Sequence, residues 1–332
     1  MKPRLIFVIM LLFSLNRLYG QEDNGAALTV TYEEVFDAPS DINKLFVSLQ
    51  PLYGELFVTN INVGFGIEAQ YYLKDKADFK VHYRKAYSQK TDLERDAAEK
   101  AGTQSNSPKT YGYFELGGTY HFVDREEEST TRMILVPKEN YRKTARYQVQ
   151  EHTLVPSKVR KIYGGRLGLS AFQSSTELNQ VLEDQGITLT DPGGTPIDSS
   201  ISLFTNVTSA SIYIGGSLTW IKNFAIKPSG EYESLVNDQI FTVFLDLLIA
   251  PSVNIDDVML NGVTYSTDDI KTKTIGMRVG MEGKFNRDLG WAYGAEIGFR
   301  PSIEDRGFYA LVKMSFPVFS TKLANSKEAF GN

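Results

Sequence analysis

Fourteen ionisable side chains recur on one parity of an alternating pattern: Glu68, Lys80, His82, Arg84, Glu115, His121, Arg166, Asp246, Arg278, Glu282, Lys284, Glu296, Arg300 and Lys313. Both signs occur in similar number. If these groups share an interior, they neutralise one another as ion pairs that replace an apolar core. A second arrangement would use the Arg and Glu residues as the constriction of a narrow channel or small-ligand site. A third would set a serine against a histidine for acyl transfer, and His82, His121 and His152 are the only histidines. His82 and His121 fall on the inward parity, yet no Gly-x-Ser-x-Gly, His-Glu-x-x-His, phosphate loop or calcium loop is present. No candidate ligands share a metal-binding spacing, and neither metal nor cofactor is expected. With no cysteine in the chain, thiolate sites, disulfides and cysteine nucleophiles are excluded.

The elements that must carry these groups are strands. Between Thr59 and Leu73, Ile61, Val63, Phe65, Ile67, Ala69, Tyr71 and Leu73 alternate with Asn60, Asn62, Gly64, Gly66, Glu68, Gln70 and Tyr72, a period of two that no helix gives. An ordinary strand has about 5–6 residues, whereas one that crosses a bilayer at a tilt needs about 9–11. A soluble sheet would turn its apolar row to a core; a membrane barrel turns it to lipid and keeps small and polar residues inside. Two glycines, two asparagines and a glutamate on the opposite row favour the barrel, with a crowded, wet lumen. After the turn Lys74 to Asp78, Phe79, Val81 and Tyr83 alternate with Lys80, His82 and Arg84.

The chain's start argues for export. Lys2 and Arg4 precede the apolar run Leu5 to Phe13, and Gly20 stands before the polar segment Gln21 to Asn24. That layout is a secretory signal peptide, too short in its apolar part for an anchor helix. Ile240 to Ala250, the densest later stretch, is interrupted by Thr242 and Asp246, so membrane entry would require a closed barrel. Thirty-five basic and 40 acidic residues give a net charge of -5 with no basic block, which sets nucleic acid aside.

Further strands are expected over Asn43 to Gln50, closed by a turn Pro51 to Glu55, and over Gly112 to Phe122, closed by an acidic turn Asp124 to Glu128. Weaker strands are expected at Met133 to Val136 and Lys143 to Val155. Strong ones follow at Lys158 to Phe172, Ala210 to Trp220, Gln239 to Ser252, Thr274 to Phe285, Trp291 to Arg300 and Gly307 to Phe319. Trp220 is a candidate interfacial aromatic. Helices are expected near Leu93 to Ala101 and Thr176 to Gln185, inside two long polar connections. With the N-terminus in the periplasm, the long connections after Tyr87, Phe172 and Ser252 fall outside. Ile221 to Asp238 is a long inner connection that could hide an extra strand pair.

Together these features give an all-β fold: a transmembrane antiparallel up-and-down β-barrel of about twelve strands, ten to fourteen being admissible, with long extracellular loops. The division is a signal peptide at 1–20, an N-terminal extension or mouth strand at 21–42, the barrel at 43–319 and a polar tail at 320–332. Signal peptide, alternating strands, glycine-and-charge rows and a final aromatic strand resemble outer-membrane β-barrel proteins of Bacteroidota; a glycine followed by glutamine at the cleavage junction adds to that likeness. The polar tail after Phe319 departs from such barrels, which typically end on phenylalanine. The resemblance implies an outer-membrane location and lipid contact. The expected role is a non-enzymatic structural or accessory subunit of an envelope assembly, secretion or uptake complex, meeting protein partners through the long loops and tail. A narrow channel for a small solute and a lipid-acting enzyme are the alternatives.

Overall fold

Alternation is realised as a closed ring of strands. The computed structural model describes residues 30–57, 60–73, 76–88, 103–138, 151–198, 200–286 and 290–320; the signal segment, the helix expected near Leu93 to Ala101 and residues 321–332 of the tail lie outside the described residues. In chain order the elements are β1 (Tyr32–Asp37), β2 (Leu45–Phe57), β3 (Asn60–Leu73), β4 (Ala77–Ala86), β5 (Gly112–Ile134), β6 (His152–Glu177), α1 (Asn179–Gln185), β7 (Phe204–Ile221), β8 (Phe224–Pro228) and β9 (Leu235–Asn237). They continue with β10 (Gln239–Ile249), β11 (Val253–Ile255), β12 (Val258–Leu260), β13 (Val263–Tyr265), β14 (Thr272–Lys273), β15 (Ile275–Phe285), β16 (Ala292–Phe299), β17 (Ser302–Ile303) and β18 (Phe308–Ser320).

Ten staves close the barrel in the order β2-β3-β4-β5-β6-β7-β10-β15-β16-β18, every pair antiparallel, and β18 returns to β2 through Tyr309↔Phe57 to Ser320↔Phe46. Closure leaves no unpaired edge in the wall. β11 adds a short extension beside β7. Phe65, Ile67, Phe114, Leu116, Leu167, Leu169, Ile212, Ile214, Leu245, Val279 and Val312 are exposed around the outside, while Arg84, Glu115, Asp246, Arg278 and Glu296 are buried inside. An outward apolar band around a polar interior is the architecture of an outer-membrane β-barrel. Aromatic pairs Trp220 with Phe241 and Trp291 with Tyr293 lie near one rim, and Phe65 with Tyr87 and Phe299 with Phe308 near the other.

Ten staves stand where about twelve were expected, and the difference lies in the middle of the chain. The acidic run Asp124 to Glu128 is no turn: it continues β5, which also takes in Met133 and Ile134 of the first expected weak strand, while β6 takes in the end of the second from His152, whose residues 143–150 lie outside the described residues. Opposite it runs a basic segment. Glu126 pairs with Arg160 and Glu128 with Lys158 in register, Arg160 binds Asp124 at 2.7 and 2.5 Å, and Lys161 binds Glu127 at 2.5 Å. Opposite charges across an antiparallel pair favour continued pairing, so the hairpin runs on past the wall. Pro51 is likewise no turn. β2 passes through it, and the register shifts beside it on both flanks, between Gln50 and Tyr53 and between Met314 and Phe316; a residue without an N–H sits at such an irregularity rather than in a regular ladder.

The projecting hairpin is covered by a small sheet of order β1-β8-β9, which is the extra pair within Ile221 to Asp238 plus a strand from the N-terminal extension. β1 therefore builds this sheet instead of entering the mouth. Met133, Leu135 and Val155 of the hairpin bury against Phe224, Ile226 and Leu235. The Tyr232 hydroxyl donates to Glu151 at 2.6 Å, a bond that pushes its phenol up to about 12. Phe224→Ala is expected to remove about 3–5 kcal/mol from this packing. Limited proteolysis should then cut the hairpin faster while the barrel itself stays folded in unheated detergent.

The connections 87–111, 178–203, 250–274 and 300–307 all leave the same rim, called here the loop end, and α1 lies in the second of them. The opposite rim carries the hairpin, the small sheet and the end of β18.

Candidate functional site: the filled lumen

Large side chains enter the lumen beside glycines. A Cβ on Gly117 would stand 1.8 Å from the Tyr213 hydroxyl, and one on Gly280 would stand 2.4 Å from the Phe244 ring. The glycine row thus makes room for neighbouring side chains to cross the axis, and the interior is packed at these positions.

The crossing groups form three tiers. Nearest the loop end, Arg300 donates to Glu55 at 2.5 Å and to the Tyr111 hydroxyl at 2.8 Å, and its guanidinium lies 3.7 Å from the Tyr309 ring centre. Arg84 stands 3.4 Å from Glu55 and 4.3 Å from the Tyr113 ring centre. In the middle tier Arg278 donates to Glu115 at 2.7 and 2.9 Å, to Asp246 at 2.8 Å and to the Tyr113 hydroxyl at 2.9 Å. Arg166 holds the same Asp246 at 2.9 and 3.2 Å, and Glu296 lies 3.9 Å from Arg278. Below, Lys313 bridges Glu68 at 2.7 Å and Glu282 at 2.6 Å, and Lys80 joins the same two carboxylates. Lys284 bonds the Gln70 side-chain oxygen and sits against the Phe46 and Tyr72 rings.

Charge balances over the lumen as a whole but not tier by tier: the upper tier sets Arg84 and Arg300 against Glu55 alone. Among the described residues seven inward acids (Glu55, Glu68, Asp78, Glu115, Asp246, Glu282, Glu296) meet seven inward bases (Lys80, Arg84, Arg166, Arg278, Lys284, Arg300, Lys313). Pairing of this kind offsets the large cost of removing charges from water, and charge-assisted bidentate bonds fix the geometry.

Every residue of the expected lumen set therefore points inward, but not into one cluster: Arg84 and Arg300 belong to the upper tier, Glu115, Arg166, Arg278 and Glu296 to the middle, Glu68, Lys80, Glu282 and Lys284 to the lower. His82 lies between tiers, fully buried, with its Nε2 3.0 Å from Gln50 Oε1. His121 sits 3.1 Å from Asp78 near the terminal rim, and His152 has left the barrel for the hairpin, where it meets Arg132. Among the described residues no serine hydroxyl bonds any of these rings. Sequence reasoning missed Glu55 and Asp78 because both were given to turns; the inward parity of β2 and β4 was the signal that could have found them. It also missed Tyr111, Tyr113, Tyr213 and Tyr309, whose hydroxyls and ring faces complete the tiers.

Both ends of the lumen are closed by apolar packing. At the loop end Phe57, Tyr111 and Phe172 pack with Leu178, Val181, Leu182, Leu203, Val258, Leu260 and Ile270 from the long connections. At the other end Phe46, Tyr72, Ile162, Ile221 and Ile240 form a smaller cluster. Between them two cavities of about 20 Å³ lie among the lower-tier residues, each with room for about one water molecule.

No family model and no curated protein matches the chain. Among solved structures it is similar to OmpTdeltaL8, a loop L8 deletion mutant of OmpT, an outer membrane protein of Vibrio cholerae, at 11% identity over 83% of this chain and 99% of that one, with a TM-score of 0.16. So low a score does not superpose the two chains; the barrel architecture stands on the closed ring of paired strands and on the apolar band around it.

Proposed function

We propose that the protein resides in an outer membrane as an integral barrel with a solid interior, and serves as a non-enzymatic structural or accessory subunit of an envelope assembly, secretion or uptake complex. The observation that carries this reading is the lumen: three tiers of ion-paired charges, capped by apolar clusters at both ends, with two cavities of about one-water volume among the lower-tier residues. A body of this kind offers its surfaces rather than its interior. The loop cap at one end and the hairpin with its small sheet at the other are the two faces available to protein partners, and the outer band meets lipid. On this reading the chain is exported by its N-terminal segment and inserted with the loop end outward, and the hairpin module then faces the periplasm.

The alternatives are a narrow channel, which asks for a continuous polar constriction, and an enzyme, which asks for a serine beside His82 or His121. Purified protein in planar bilayers tests the proposal. Voltage ramps should give no current steps, and deletion of residues 178–203 should leave the membrane silent because the tiers below that cap remain closed. Discrete, solute-selective steps from the intact chain would make it a channel and end this reading. On native gels after mild extraction the protein should run within an assembly larger than its own micelle; a solitary species from native membranes would remove the subunit role.

A further inference from the structure

Twelve buried side-chain nitrogen and oxygen atoms among the described residues find no hydrogen-bond partner, and nine of them lie in the upper part of the lumen, on Tyr53, Glu55, Asn60, Asn62, His82, Arg84 and Arg300. Buried polar groups are almost always bonded, so their concentration in one tier has a cause. Arg84 is the extreme case. Its side chain is fully buried, and none of Nε, Nη1 and Nη2 makes a hydrogen bond, although Glu55 stands 3.4 Å away.

The kinds of atom decide what could satisfy them. Five are donors only (Arg84 Nε, Nη1 and Nη2, Arg300 Nη2, Asn62 Nδ2), the Tyr53 hydroxyl can donate or accept, and three are acceptors or a tautomer-dependent ring nitrogen (Glu55 Oε2, Asn60 Oδ1, His82 Nδ1). A water molecule brings two donors of its own and meets the same shortage of acceptors. A species that only accepts removes the shortage. Charge points the same way, because the two guanidinium groups share the single carboxylate of Glu55, whose Oε1 is already taken by Arg300. Register places the donors together: Asn62 is opposite Glu55 on adjacent strands, and Arg84 lies over the rings of Tyr53 and Tyr113 at 5.6 and 4.3 Å.

We propose that Arg84, Arg300, Tyr53 and Asn62 hold a small acceptor-only anion of halide size in the upper lumen, taken up as the barrel closes. The size follows from the packing: the apolar cap seals this tier from above, and Tyr53, Asn62, Arg84 and Arg300 are themselves buried, which leaves space for a small species only. The site is independent of which complex the protein serves. An anion there supplies the missing negative charge and orders the arginine cage beneath the loop cap.

The probe is bromide. Protein refolded in bromide and crystallised should show, at the bromine absorption edge, an anomalous peak within hydrogen-bond reach of the Arg84 guanidinium and Asn62. Density for water alone at that place, or bromide only on exposed lysines as an adventitious ion only, would overturn the proposal. In solution, at fixed ionic strength, the thermal midpoint of the wild-type barrel should be higher in bromide than in a bulky organic anion, and Arg84→Gln should abolish the difference. Should that variant fail to fold, Asn62→Leu replaces it and should narrow the difference. Equal wild-type midpoints in the two salts would also sink the assignment.

Discussion

Arg278→Met is expected to destabilise the folded barrel by about 3–5 kcal/mol, the cost of breaking a buried ionic group from one side. The substitution keeps an unbranched stem in the space between Tyr213 and Phe244, whose ring centres lie 4.6 and 5.5 Å from the guanidinium, so packing changes little. What goes is charge. Glu115 loses both of its 2.7 and 2.9 Å bonds, and Asp246 keeps only Arg166. Glu115 then remains a buried carboxylate whose nearest cation, Arg166, is 3.9 Å away. Urea titration of the refolded protein, read by the shift between compact and unfolded bands on an unheated gel, measures the loss. Lys273→Met is the control: that lysine pairs with Glu304 and Asp305 at the exposed loop end, where ion pairs contribute little, and its midpoint should stay close to wild type. Equal midpoints for the two variants would mean that the middle tier does not hold the barrel together.

One residue further along the same strand the expectation reverses. Val279 points outward between Met277 and Met281, flanked on neighbouring strands by Leu245 and Ile297. Placed near the middle of the apolar band, Val279→Arg should cost about 2–4 kcal/mol, because a charge on the lipid face is penalised according to depth. Tyr87→Arg, exposed at the loop rim, should cost about 0–1 kcal/mol by the same rule. The signature is the gradient, measured as refolding free energy into vesicles. A flat response along the outer face would mean that this surface meets water or protein instead of hydrocarbon.

The sidedness of β3, β7 and β15 was legible because their alternation is long and unbroken, and a slip of one residue would exchange every inward charge for an apolar side chain. Strand extents were less legible. The run Asp124 to Glu128 has the composition of a turn, and only its partners Lys158, Arg160 and Lys161, far away in the chain, make it a strand; local propensity carries no information about a cross-strand neighbour. Pro51 misled for a similar reason, since its missing N–H is harmless at a register shift. The lumen groups could be assembled from parity, but their division into tiers could not, because it depends on the axial height at which each stave delivers its side chain. Gly117, Gly168 and Gly280 leave the spaces into which Tyr213 and Phe244 fit, a pairing across strands that no local pattern shows.

The absence of native cysteine allows the sidedness to be measured directly. Single cysteines introduced one at a time along 275–281, labelled with a fluorophore and reconstituted with lipids carrying a quencher at mid-chain, report which side chains touch hydrocarbon. A filled barrel in a membrane gives strong quenching at Ile275, Met277, Val279 and Met281, while cysteines at the packed positions of Gly276, Arg278 and Gly280 take up no label in the folded chain. Uniform quenching, or quenching confined to the positions of Gly276, Arg278 and Gly280, would contradict the lipid-facing wall and the solid interior together.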